Sequence, residues 1–286
     1  MRRDSLAWWL LLVIASIAAI AAYEFIAHQR HSAWLMARME KIVLIGKHTE
    51  VPCVEVAATQ PLVLLALGQS NAGNHGALPS HAAESVILIA EGKCIRATDP
   101  LPGGTGQGGS IWQRLSTLLS TQTEARAVAL SVLAVDSTSI ADWTSPNSPL
   151  GARLTSQVVS MRRLGLPPEF VLWQQGEADA LLGTSSEDYS TGLGKLATIL
   201  SEAGVSAPIF LARSTICQTK PNAAIRSAIE GRISSDLRFR LGPDMDTLSG
   251  NTFRNGCHLT AGGLDSAAKM WATTISAEFP AMEVAR

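Results

Sequence analysis

The sequence contains little charge of either sign, no internal repeat and no tract of strongly biased composition. Charged residues make up 16% of the 286 residues, and 23 Lys and Arg nearly balance 24 Asp and Glu, which leaves a net charge of −1. No basic surface is therefore expected, and nucleic acid is excluded as a partner. Hydrophobic residues, at 47%, suffice for a sizeable core, and the length fits one medium α/β domain or two small ones.

The sequence also lacks the cysteine and histidine spacing of a metal site. Four cysteines are present, Cys53, Cys94, Cys217 and Cys257, and none forms a CxxC pair. We therefore expect no zinc site. An even number of cysteines is compatible with disulfides in an exported chain, whereas four buried thiols would be expected in a cytosolic one. We predict that Cys217 pairs with Cys257, beside His258, and that Cys53 pairs with Cys94.

Formal charge is absent from Ser5 to Tyr23, close to the N-terminus. At ~1.5 Å per residue this segment would span about 28 Å, close to the thickness of a bilayer's hydrocarbon core. Its aromatic residues sit near the two ends, as interfacial aromatics do: Trp8, Trp9 and Tyr23. Arg2 and Arg3 precede it, which favours a cytoplasmic N-terminus and an exported body.

Two other interpretations of this segment stay open. Ala19-Ile20-Ala21 has the small-x-small pattern of a signal-peptide cleavage site, and the chain would then be secreted. A buried core helix is the third possibility, although a core helix rarely lacks a polar face so completely. We favour a retained anchor over residues 1–27, which places the body in the periplasm or outside the cell. Residues 28–57 are predicted to be a connector and residues 58–286 the main domain.

Apolar runs alternate with helical patterns throughout the main domain. Five runs are predicted to be buried strands: 61–67, 85–90, 127–135, 169–174 and 207–212. Helical spacing is found at 111–119, 154–165, 189–204 and after residue 260. Apolar strands that alternate with helices predict a parallel sheet covered on both faces. The ligand crevice of such a sheet lies beyond the carboxyl ends of its strands.

Ser70 follows the first of these strands, in "GQSN", and is the candidate nucleophile. A serine after a strand is more often a turn or cap residue, so this interpretation depends on its partners. His258, in "NGCHLTAGG" before the last helix, is the candidate general base. The α/β-hydrolase motif G-x-S-x-G is absent, because Ala72 occupies the position of its second glycine.

These blocks, together with "GGSIW" and "WQQGEAD", resemble the SGNH (GDSL-type) hydrolases. Within them the sequence is most similar to sialate O-acetylesterase-like and acetylxylan-esterase-like carbohydrate esterases, over about residues 60–278. The resemblance implies a three-layer α/β/α flavodoxin-like fold. It also implies a serine nucleophile, no metal or other cofactor, and hydrolysis of an ester on an acylated sugar.

The resemblance also assigns roles to individual residues. Ser70 would be the nucleophile, and its N–H would donate to the oxyanion together with the Gly109 N–H and the Gln175 side-chain amide. The alternative is that Gly109 only turns its loop and that Gln175 only ties loops together. Further residues are expected to bind substrate or brace the loops: Gln69, Asn71, Asn74, His75, Glu177 and Asp179. Trp143 is a candidate for stacking on a sugar, although a tryptophan is more often part of the core.

One position departs from the pattern. The related motif is D-x-x-H, with an Asp that orients the histidine, and this chain has Asn255 instead. An amide oxygen can orient an imidazole but supplies no negative charge; the corresponding Asp→Asn change in a serine protease lowers turnover by ~10⁴. The site could therefore be slow, borrow Asp244 or Asp246, or have lost hydrolysis.

The sequence thus predicts an esterase that removes acyl groups, acetyl foremost, from a carbohydrate, with Ser70, His258 and Asn255 at its centre. One alternative is an acyltransferase that passes the acyl group to a glycan hydroxyl. Another is a carbohydrate-binding or envelope protein whose catalysis has decayed at Asn255.

Overall fold

A computed structural model describes residues 2–77, 85–122 and 127–278, and the parts of the predicted main domain at 78–84, 123–126 and 279–286 lie outside the described residues. The chain divides into two compact units, Met1–Glu40 and Lys41–Arg286. The first unit is one helix, α1 (Arg2–Met39), and its segment Leu11–Met39 is long and apolar enough to cross a membrane. A retained anchor and a signal sequence both have this composition.

The described residues of the second unit form an eight-stranded sheet of order β1-β4-β3-β5-β2-β6-β7-β8. Its strands are β1 (Thr49–Val51), β2 (Leu62–Gly68), β3 (Val86–Ala90), β4 (Lys93–Ala97), β5 (Val128–Ala134), β6 (Phe170–Gln174), β7 (Ile209–Arg213) and β8 (Phe239–Asp244). A separate two-stranded ribbon consists of β9 (Arg254–Asn255) and β10 (His258–Leu259).

Six neighbouring strands of the sheet, from β3 to β8 in spatial order, run parallel. All five predicted strands are among them, each beginning within two residues of the predicted start. β2 lies near the middle, and all seven of its residues are buried, because helices cover both faces of the sheet. The predicted α/β class is confirmed, and the sheet, predicted to be parallel, is parallel in these six strands.

The edge beside β3 is antiparallel and was not predicted. A two-residue turn, Glu91-Gly92, joins β3 to β4, and both turn residues have positive φ, as this type of hairpin requires. β1 then pairs with β4, and a Cys53–Cys94 disulfide with Cα atoms 5.2 Å apart joins the short helix that follows β1 to this edge. The part of the predicted connector at residues 41–57 therefore belongs to the compact second unit, and α1 extends beyond residue 27 to Met39.

The remaining helices form two layers. They are α2 (Cys53–Ala58), α3 (Ile111–Gln122), α4 (Ile140–Thr144), α5 (Pro149–Arg163), α6 (Glu177–Leu182), α7 (Ser186–Glu202), α8 (Ala223–Ser235) and α9 (Ala261–Ser276). α3 and α9 pack together over one face of the sheet, where Trp112 contacts Trp271. α4, α5, α7 and α8 pack over the other face, where the Trp143 ring meets the edge of Trp173.

Candidate active site

The carboxyl ends of the central strands carry the predicted site residues. β2 leads into the Ser70–Ala72 turn, and the neighbouring strand β6 leads into Gln175 and the start of α6 at Glu177. The β9–β10 ribbon, which carries His258, contacts the Ser70–Ala72 turn. Parallel strands thus bring residues from distant parts of the sequence to one rim.

Ser70 is the first residue of a 3₁₀ turn that follows β2 directly. The strand can end so abruptly because Gly68 has φ +149°, and a Cβ there would lie 2.0 Å from the Gln174 carbonyl oxygen. Ser70 is 7% exposed. Its N–H begins a helical turn and donates to no other described residue, as expected of the first N–H groups of a helix. This N–H is therefore available to a ligand at the rim.

Asn71 joins three loops of the site. Its Nδ2 donates to Glu177 Oε1 at 2.7 Å and to the Cys257 carbonyl oxygen at 3.0 Å. Glu177 Oε1 also accepts from Ser214 Oγ at 2.8 Å. Asn71 Oδ1 and Glu177 Oε2 are buried and have no partner among the described residues. Burial raises the pKa of Glu177, although the Asn71 hydrogen bond opposes this.

His258 lies on a tight hairpin held by a disulfide. Gly256, in the turn of this hairpin, has φ +63°, which suits a glycine. The predicted Cys217–Cys257 disulfide is present, with Cα atoms 4.2 Å apart, and ties the turn to the loop after β7. Burial, and then the positive charge of Arg254, lower the pKa of His258 below its ordinary value. A neutral imidazole near pH 7 is the form that a general base requires.

Asn255 is the cross-strand partner of His258 in the ribbon. Its side chain is exposed and makes no hydrogen bond to the His258 ring or to another described residue. The two acids considered as substitutes are engaged elsewhere. Asp244 accepts two hydrogen bonds from Arg226, each 2.8 Å long, and Asp246 accepts from the Thr215 N–H at 2.7 Å. Within the described chain, no carboxylate takes the place of the missing Asp at position 255.

Arg254 is a site residue that the sequence analysis missed. Its guanidinium is buried and donates to four carbonyl oxygens: Leu248 at 2.7 Å, Cys257 at 2.9 Å, Met245 at 3.1 Å and Ile216 at 3.4 Å. Burial lowers the pKa of Arg254, and the charges of Glu177 and Asp246 oppose this. Arg254 therefore fixes the backbone of the histidine hairpin and supplies a counter-charge to Glu177.

The two predicted oxyanion donors besides Ser70 are already hydrogen-bonded. The Gly109 N–H donates to the Ala77 carbonyl oxygen at 2.7 Å. Gln175 Nε2 lies 2.6 Å from Asp179 Oδ2, 2.9 Å from the Thr138 carbonyl oxygen and 3.2 Å from Gln69 Oε1. The contacts of Gln175 are those of the alternative, loop-bracing role. To bind an oxyanion, the Gly109 N–H would have to leave the Ala77 oxygen, and Gln175 Nε2 would have to leave one of its present acceptors.

The other predicted residues brace the loops or belong to the core. Gln69 Oε1 accepts from the Ala178 N–H at 3.1 Å, and Asn74 Nδ2 donates to the Leu101 carbonyl oxygen at 2.9 Å. Trp143 is fully buried, so it packs in the core and is not placed to stack on a sugar. His75 lies at the rim, where its ring centroid is 5.1 Å from that of His258.

No protein-family profile and no curated protein sequence matches the chain. Solved structures do match. A protein from Arabidopsis thaliana is 18% identical, with a TM-score of 0.65 over 77% of this chain and 99% of that one. A family 3 carbohydrate esterase from Clostridium thermocellum is 14% identical, with a TM-score of 0.52 over 78% of this chain and 98% of that one. At these identities the likeness establishes the fold, an SGNH-like α/β/α scaffold, as the sequence motifs predicted.

Proposed function

We propose that the chain is a serine esterase that removes O-acyl groups, acetyl foremost, from a carbohydrate outside the cytoplasm. One observation carries this proposal. Asn71, next to Ser70, donates to the carbonyl oxygen of Cys257, next to His258, so the nucleophile and base segments are linked directly. A serine and a histidine on contacting segments at the carboxyl edge of a parallel sheet are what acyl transfer needs.

In the proposed reaction, Ser70 Oγ attacks the ester carbonyl carbon while His258 takes the hydroxyl proton. The tetrahedral intermediate collapses as His258 returns this proton to the sugar oxygen, which leaves as a hydroxyl group. The acyl group remains on Ser70. His258 then deprotonates a water molecule, whose oxygen attacks the acyl carbon. As this second intermediate collapses, the bond between the acyl carbon and Ser70 Oγ breaks, His258 returns the proton to Ser70 Oγ, and the acid is released.

The negative charge of each intermediate requires hydrogen-bond donors. We assign the Ser70 N–H as the first donor, because it has no partner among the described residues. The Gly109 N–H becomes a second donor if the oxyanion replaces the Ala77 oxygen as its acceptor. Gln175 becomes a third under the same condition, with Asp179 as the acceptor that it would leave.

The carbohydrate substrate rests on the motif resemblance and on the fold shared with the family 3 carbohydrate esterase. The apolar α1 and the pairing of all four cysteines favour an oxidising compartment. We favour a chain anchored by α1, because its apolar segment is longer than that of a signal peptide.

A binding protein without catalysis is the second candidate, and the exposed, unbonded Asn255 side chain favours it. An assay of the full-length chain in detergent, with p-nitrophenyl acetate and with acetylated oligosaccharides, separates the two candidates when Ser70→Ala is assayed beside the wild type. If the chain is an esterase, the wild type should release acetate from both substrates, and Ser70→Ala should release none. Oligosaccharide binding without acetate release would establish the second candidate. Acetyl transfer to an excess sugar acceptor, detected by mass spectrometry, would instead show an acyltransferase.

A further inference from the structure

A second histidine, His75, lies beside the proposed base. The ring centroids of His75 and His258 are 5.1 Å apart, and the ring planes are inclined by 36°. Aromatic pairs with centroids 4.5–7 Å apart attract each other beyond the area that they bury. The pair brings the segment after Ser70 against the hairpin of the base.

The backbone holds His75 firmly. On one side of it, the Asn74 N–H donates to the Thr105 carbonyl oxygen at 2.8 Å. On the other side, the Gly76 N–H donates to the Gly109 carbonyl oxygen at 3.1 Å. Gly106, with φ +96°, permits the close approach, because a Cβ there would lie 2.7 Å from His75 Cδ2.

The ring of His75 is also anchored. Its Nε2 lies 3.0 Å from Thr105 Oγ1, and this oxygen accepts from the Asp136 N–H at 3.0 Å. Thr105 is 1% exposed, and its own N–H donates to the Ala134 carbonyl oxygen at 2.9 Å, at the end of β5. The orientation of the His75 ring is thus tied to the central sheet.

The His258 ring, in contrast, forms no hydrogen bond with any described residue, and its cross-strand partner Asn255 is exposed. We propose that His75 is a positioning residue that holds the His258 ring by contact between the two tilted rings, in the place of the carboxylate that position 255 lacks. This inference rests on the proposed esterase function.

Full-length variants in detergent, assayed with p-nitrophenyl acetate, test the inference through kcat and KM separately. His75→Ala removes the ring, and we expect kcat to fall about 3- to 10-fold with KM unchanged, the range that an aromatic pair supports. His75→Phe keeps an aromatic face and should recover most of the loss. Thr105→Val should lower kcat in the same direction, and Thr105→Ser should restore it. His48→Ala, in the turn before β1, is the matched control and should keep the wild-type kcat.

A readout that does not depend on activity uses histidine labelled with ¹³C at Cε1, with the His258 signal assigned by its loss in His258→Gln. If His75 positions the His258 ring, the wild type and His75→Phe should each give a single His258 signal. In His75→Ala this signal should be broadened or split. An unchanged kcat and an unchanged His258 signal in His75→Ala would overturn the inference. A rise in KM alone would overturn it in favour of substrate contact. If the wild type and Ser70→Ala are equally inactive, the esterase proposal fails and the His258 signal alone decides the role of His75.

Discussion

The two disulfides provide a controlled test of whether the histidine hairpin matters for catalysis. Cys217→Ser with Cys257→Ser removes the bridge beside His258, and Cys53→Ser with Cys94→Ser removes the bridge at the β1–β4 edge. The bridged residues are 40 and 41 positions apart, respectively. The chain-entropy relation therefore assigns both bridges almost the same stabilisation, about 4 kcal/mol. The two double variants should be destabilised equally.

Their effects on activity should differ. The Cys257 carbonyl oxygen accepts hydrogen bonds from Asn71 and Arg254, so loosening this turn displaces the link between the Ser70 turn and His258. A catalytic group misplaced by about 1 Å can cost ~10²-fold in rate. We expect kcat to fall about 10- to 100-fold without the Cys217–Cys257 bridge and less than twofold without the Cys53–Cys94 bridge.

Stability is measured by urea unfolding, monitored through tryptophan fluorescence. Activity is measured as kcat on p-nitrophenyl acetate at 25 °C in the absence of urea. If the variant without the Cys217–Cys257 bridge does not fold, adding a thiol reductant to the variant that lacks Cys53 and Cys94 breaks the same bridge alone. Equal losses of kcat in the two double variants would refute the assignment of the Cys217–Cys257 bridge to the catalytic geometry, because stability alone would then account for both.

Three further predictions concern the surroundings of the base. Burial and the charge of Arg254 lower the pKa of His258, so its neutral form persists to lower pH. The acid limb of the kcat/KM profile should therefore have its midpoint below the ordinary imidazole pKa of about 6.5. A midpoint above that value would contradict this environment of His258. Asn255→Asp should raise kcat by less than about tenfold, because the position is exposed and solvent screens the added charge. The same change should move the acid limb of the kcat/KM profile to higher pH. An unchanged profile would exclude position 255 from the mechanism. Arg254→Met should lower the free energy of unfolding by about 2–4 kcal/mol, because buried carbonyl oxygens such as those of Leu248 and Met245 lose their donor, whereas a loss below about 1 kcal/mol in urea unfolding would show that Arg254 does not hold the hairpin.

The central part of the fold could be predicted because its signal is local. Continuous apolar runs such as 61–67 have the composition of strands buried on both faces, and the glycines and polar residues after them mark where the strands end. β4 contains Lys93 and Arg96, and β8 contains Gly242 and Pro243, so neither has an apolar run of this kind. β8 is an edge strand and β4 lies next to the edge strand β1. Strands in such positions depend on a neighbour for their structure, which a local pattern does not reveal.

Within the site, residue types indicated the chemistry, but contacts between distant residues could not be predicted. The importance of Arg254 depends on four carbonyl oxygens that only the folded loops bring together. An arginine in a polar segment otherwise indicates an exposed side chain. The Gly109 N–H is engaged for the same reason, because pairing between the glycine-rich loop and the loop after Ser70 is a tertiary feature. Trp143 carries no local signal that separates a core residue from a sugar platform.

The central claim is that Ser70 is a nucleophile activated by His258, and covalent labelling tests it most directly. The full-length chain is treated with a fluorophosphonate, and the modified peptide is identified by mass spectrometry in the wild type, Ser70→Ala and His258→Gln. We expect one adduct, on Ser70, that is absent in Ser70→Ala and forms at least 100-fold more slowly in His258→Gln, together with the loss of acetate release in both variants. A folded wild-type chain that forms no adduct, or acetate release that survives Ser70→Ala, would contradict the account.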